Sequence, residues 1–173
     1  EGGSGDADAE DGRTESSAWL RPGRGSRRSD QADRSVPLVL ASGNLALVSL
    51  PGEPRRLTRE EIDERYPQLI PGLLAAPAVG FLLVRSQDGS SSVLGPRGVH
   101  NLVTGVIEGE DPLAPFGPLA PVQVAEVDGY RTVADLMVNS ILDARTGEVA
   151  AFEDQVSSHG GLGGPQTHPF LLY

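Results

Sequence analysis

Apolar positions along this chain follow two regimes. Over residues 1–34 they are sparse: Trp19-Leu20 is an isolated hydrophobic pair in a run of Gly, Ser, Asp, Glu and Arg. Such a stretch cannot bury enough apolar surface to offset the entropy of ordering it, so 1–34 is expected to be a disordered linker. From Val36 the pattern changes abruptly. VPLVLA (36–41) is a continuous branched apolar run that suits a strand buried on both faces. Ser42-Gly43-Asn44 interrupts it, LALVSL (45–50) resumes an extended run, and Pro51-Gly52 turns the chain.

Thr58 followed three residues later by Glu61 has the spacing of a capping box and predicts a helix over LTREEIDERY. Pro67 ends or restarts it, and LIPGLLAA supplies a second short helical piece. VGFLLVRS (79–86) is the clearest strand. SSSVLGP and RGVHNLVTGVIEG read as antiparallel strands joined at Gly turns. The proline-rich stretch 111–121 is expected to lack regular structure, VADLMVNSI (133–141) to form another strand, and PFLLY (169–173) a last one. Strands alternating with helices, several apolar throughout, predict an α/β layered domain over 35–173 with a mainly parallel sheet.

Charge narrows the partners. The formal net charge is −10, and the predicted folded part carries sixteen acids against eight arginines. An acidic domain disfavours duplex nucleic acid or anionic lipid as a partner. All fourteen basic residues are arginine and cysteine is absent, which excludes disulfides and thiolate metal sites. No apolar run approaches the roughly 20 residues of a membrane helix, and the start lacks a signal-peptide pattern. Met137 is the only methionine, so the first coded residues are expected upstream of Glu1.

The stretch that looks built for chemistry is Ser157 to Thr167, SSHGGLGGPQT. Glycines let backbone approach a ligand or a neighbouring strand closely, and a neutral imidazole on such a loop is a common metal ligand. On pattern alone His159 reads either as a ligand or as a turn histidine bonded to backbone. Glu153 and Asp154 are candidates to orient the imidazole or share a metal; equally they form a solvated face. His100 is expected half-buried on a strand and His168 in a loop. Glu108, Glu110 and Asp111 form an acidic surface turn without calcium-loop spacing. Phosphate-loop, dinucleotide, nucleophile-elbow and HExxH motifs are absent.

Taken as a unit, VADLMVNSILDARTGEVAAFEDQVSSHGGLGGPQTHPFLLY resembles the C-terminal end of a type I phosphodiesterase or nucleotide pyrophosphatase-like bacterial member of the alkaline phosphatase superfamily. The VGFLLVRS strand, the GVHNL segment and the EGEDPLAPFG loop agree, so the likeness spans about 36–173. The resemblance implies a partial alkaline-phosphatase-like layered sheet with flanking helices and a small antiparallel insert. It implies metal-dependent hydrolysis of a small phosphate ester or diester in a complete parent, some parents being membrane-attached. It makes His159 a ligand of a divalent ion, zinc or manganese, in a two-metal site.

Two departures limit what the resemblance carries. The nucleophile and the first metal-binding Asp belong to an N-terminal half that nothing before Val36 supplies. Where an Asp-His-Gly motif is expected after the first strand, this chain has Ser42-Gly43-Asn44, whose neutral oxygens are poor zinc ligands. The chain is therefore expected to be inactive alone and to need the missing half. The alternative is a non-catalytic pseudo-phosphatase serving as a binding or structural module.

Overall fold

The computed structural model describes residues 36–154, 159–167 and 172. The expected linker at 1–34, His168, and the expected last strand at 169–173 apart from Leu172 lie outside the described residues.

The chain builds two strands first, β1 (Leu38–Ser42) and β2 (Leu45–Ser49), paired as a hairpin around Gly43-Asn44. Two short helices follow, α1 (Arg59–Arg65) and α2 (Leu69–Ala75). Strands β3 (Val79–Arg85), β4 (Ser91–Gly95), β5 (Gly98–Asn101) and β6 (Ile107–Gly109) then run as a meander. After helix α3 (Ala120–Asp128), strand β7 (Leu136–Ser140) returns and inserts between β2 and β3. The sheet order is β1-β2-β7-β3-β4-β5-β6.

Every pairing in this seven-stranded sheet is antiparallel. The expected α/β domain with a mainly parallel sheet, and the partial alkaline-phosphatase-like layered sheet, are therefore corrected to an open all-antiparallel sheet with three helices. The physical reason is specific. Strands β2 and β3 both run opposite to β7, so they point the same way, as strands joined through helices commonly do. Strand β7 fills the slot between them and makes both of those pairings antiparallel, while the other pairings join strands adjacent in sequence. Continuous apolar strands report burial on two faces, which a sheet covered on both sides needs whichever way its strands run.

Those two faces are distinct cores. On one, Leu57, Ile62 and Ile70 from the α1–α2 side pack on Leu82, Val84, Leu136 and Val138. On the other, Leu113, Ala120 and Val124 pack on Phe81, Leu83, Val93 and Met137. From Phe81 to Val84 residues alternate between the two cores, after an irregularity between Val79 and Phe81, and Phe81 meets Phe116 edge-on with ring centroids 5.1 Å apart. Each fully buried side chain of this size contributes roughly 1.5–3 kcal/mol relative to exposure. The stretch 111–121, expected to be irregular, contains a 3-10 turn at Ala114–Phe116 and the start of α3, with proline tolerated in the first turn of each. Strand β1, expected to be buried on both faces, is an exposed edge strand instead. Among the described residues no helix is long and apolar enough to cross a membrane.

Polar groups fix the ends. The Asp135 carboxylate, 5% exposed, accepts the backbone N–H of Leu50 at 2.6 Å and that of Leu57, closing the loop before α1 against the start of β7. Asp128 at the end of α3 pairs with Arg56, with Arg85 at 3.4 Å and with the Ser91 hydroxyl at 2.6 Å. Burial pushes its carboxyl up, but the Ser91 hydrogen bond and the Arg56 and Arg85 charges together hold it below the usual carboxylate range. At the start of α1 the Thr58–Glu61 capping box forms as its spacing predicts.

Removing the Asp135 acceptor strands two buried N–H groups, so Asp135→Ala is predicted to lower stability by about 2–4 kcal/mol in urea unfolding. The Arg55 guanidinium and the Thr58 backbone N–H hold Glu61 at about 2, below its ordinary 4.5. A depressed carboxyl contributes stability that is present above the unfolded value and lost as pH falls through the folded one. The Glu61 cap should thus persist until about pH 2. Arg55→Ala should return the Glu61 titration toward 4.5, read by carboxyl carbon NMR.

Candidate functional site

One end of the sheet brings together the sequence-distant pieces that the residue types single out. Strand β1 ends at Ser42, β2 begins at Leu45, and β7 ends at Ser140, so the Gly43-Asn44 turn sits beside Asn139. The loop that starts at His159 folds over this end. Ser42 Oγ and His159 Nδ1 are 3.2 Å apart in a hydrogen bond. The Asn44 N–H donates to the His159 carbonyl at 3.2 Å.

Gly43 is required where it stands. Its φ of +59° belongs to the left-handed region, and a Cβ there would lie 2.1 Å from the His159 carbonyl oxygen. Glu153 was a candidate to orient the imidazole or share a metal. Its Oε1 instead accepts the Gly43 N–H at 2.7 Å, while Asp154 is exposed. The turn is further held by the Phe152 N–H donating to the Gly43 carbonyl at 2.7 Å.

Two buried asparagines, which pattern reasoning gave no structural part, do most of the holding. Asn44 and Asn139 are 0% and 1% exposed. Leu162 N–H donates to Asn139 Oδ1 at 2.8 Å, and Asn139 Nδ2 donates back to the Leu162 carbonyl at 3.2 Å. Asn44 Nδ2 donates to that same carbonyl at 2.8 Å, and Gly161 N–H donates to Asn44 Oδ1 at 3.0 Å. Each side-chain amide thus acts as a short strand edge, supplying one donor and one acceptor to the loop backbone. A carboxylate cannot do this, because it has no donor. Gly161 makes the approach possible: a Cβ there would fall 2.5 Å from Asn139 Oδ1.

The described donors do not by themselves make up a divalent metal site. Zinc is held by combinations of imidazole, thiolate and carboxylate, commonly four ligands. Here the turn offers a hydroxyl and an amide oxygen that already accepts from Gly161, and the Glu153 carboxylate is engaged by Gly43. Among the described residues no group of three His, Cys, Asp or Glu gathers. His159 itself is exposed. Under the loop, a cavity of about 100 Å³ lies against Val124, Val127 and Met137. That is below the 300 Å³ or so of a typical small-molecule pocket.

The other sequence candidates lie elsewhere. His100 is buried on β5, with Nδ1 2.9 Å from Asp111 Oδ1. Asp111 also accepts the Leu113 N–H at 3.0 Å, so it ties β5 to the loop before α3, while Glu108 and Glu110 face solvent as expected. A buried strand histidine eleven residues before an aspartate was the available signal for this link, and it is weak.

Asn139→Asp tests the clasp. It swaps a donor for a buried negative charge facing the Leu162 carbonyl and should cost about 2 kcal/mol or more at neutral pH. Burial raises such a carboxyl, so the penalty should shrink as pH falls and the protonated group can donate again. Urea unfolding at two pH values reads both effects, and a pH-independent loss would contradict this role. Gly161→Ala should release the loop in the same way. No family model, curated protein or solved structure matches the chain.

Proposed function

We propose that this chain is a phosphoesterase-like module that does not itself hydrolyse phosphate esters and serves as a binding or structural part. The observation that carries this reading is the junction of His159 with Ser42-Gly43-Asn44. The sequence resemblance puts metal ligands in these two stretches. They meet across 117 residues of chain, yet the turn contributes neutral oxygens and backbone. Asn44, which stands beside the expected ligand positions, is committed to holding the loop. The reading rests on this junction and on the sequence likeness, since the all-antiparallel sheet departs from the superfamily's layered one.

A second reading is favoured by one feature, the exposure of His159 beside that turn. In it the chain is the C-terminal portion of a metal-dependent phosphoesterase, and residues from another segment complete the site around zinc or manganese.

Zinc and manganese titrations of the full encoded protein, including any residues upstream of Glu1, as wild type and as His159→Ala, with hydrolysis of an aryl phosphate and a diaryl phosphate, separate the two. The module reading predicts equally weak metal uptake by both proteins and no turnover above a metal-only control. Metal uptake or turnover lost in His159→Ala would overturn it in favour of the second reading.

A further inference from the structure

The two edges of the sheet are built differently. Strand β6 is three residues long, and Glu108 within it places a negative charge on that edge, while Glu110 just after it is paired with Arg97 at 2.7 Å. Two copies meeting there would oppose like charges, a common device against edge pairing. Among the described residues, strand β1 carries no charge of this kind. Leu38, Val39 and Leu40 are 52%, 57% and 56% exposed. From Ser35 to Gly52 the sequence contains no charged residue, although the whole chain carries −10. The β1–β2 hairpin is thus a charge-free strip on an acidic protein, a surface where a second copy meets no like-charge repulsion.

Backbone register points the same way. A two-residue hairpin loop is closed by a pair that exchanges both hydrogen bonds, here Ser42 and Leu45. Leu40 and Leu38, opposite Leu47 and Ser49, therefore bond toward β2. Val39 and Ala41 turn their N–H and C=O groups to the open side. An antiparallel copy centred on Leu40 sets Val39 against Ala41 in mutually bonded pairs, Leu40 against Leu40, and Leu38 against Ser42. The same pairing joins like faces. Val39 and Ala41 border an apolar trough of about 390 Å³ between the hairpin and α2, and the two troughs would run together.

We infer that the β1 edge is a self-association surface, taking a second copy of this chain in a twofold antiparallel β1–β1 pair. This inference is independent of the phosphoesterase reading. Sedimentation velocity over a concentration series should show a monomer–dimer equilibrium. Leu40→Lys puts two ammonium groups side by side at the twofold and should weaken dimerisation by about tenfold or more. Val39→Pro deletes an outward N–H while leaving the bonds to β2 in place, and should do likewise. Far-UV circular dichroism confirms that each variant is folded. Should either variant fail to fold, hydrogen exchange on wild type decides: Val39 and Ala41 amides should gain protection as concentration rises. A wild type that remains monomeric throughout, a dimer untouched by both substitutions, or exchange at Ala41 independent of concentration would overturn the proposal.

Discussion

Strand β7 is enclosed on four sides, by β2 and β3 along its edges and by a helical layer above and below, and the rest of the molecule is arranged around that enclosure. All five of its residues are buried. A strand in this position satisfies its backbone groups only if both neighbours keep register, so β2 and β3 are held two strand spacings apart with β7 between them. Its two ends extend the constraint outward. Asp135, just before it, closes the loop to α1, and Asn139 near its end receives the glycine loop. A change in β7 register would move both polar anchors at once.

The same enclosure defines what the His159 end can do. Asn44 lies in the turn just before β2 and Asn139 near the end of the adjacent β7, so their amides point together at Gly161-Leu162. Two donors and two acceptors in a fixed arrangement match a length of backbone better than they match a cation. The close approach at Gly43 and Gly161 uses the space that added ligand side chains would need. The loop is therefore well placed, with its backbone at Gly161 and Leu162 bound to the two amides.

Much of the local structure is legible from residue pattern. The α1 cap follows from Thr58 and Glu61, and the strands at 45–50 and 79–86 from their apolar runs, because each depends on neighbours in sequence. What is not legible is long-range. The insertion of β7 joins segments about ninety residues apart, and strand composition carries no information about direction. Helix α3 escapes notice because only Ala120 and Val124 are buried on it, too few to mark a face. The apolar run of β1 reads as interior, whereas topology places it at an edge. At the site, the His159 loop stands out by composition. The partnership of Asn44 with Asn139 does not, because asparagines at strand ends have many uses and their convergence exists only in the folded sheet.

Two asparagine amides hold the His159 loop through Gly161 and Leu162. Crystals soaked in zinc, with anomalous diffraction collected at the zinc edge, test this arrangement most directly. The expected result is no anomalous peak within bonding distance of His159, with both amides bound to Gly161 and Leu162. A peak joining His159 to Glu153 or to the Ser42–Asn44 turn, with the loop drawn off Asn139, would contradict it.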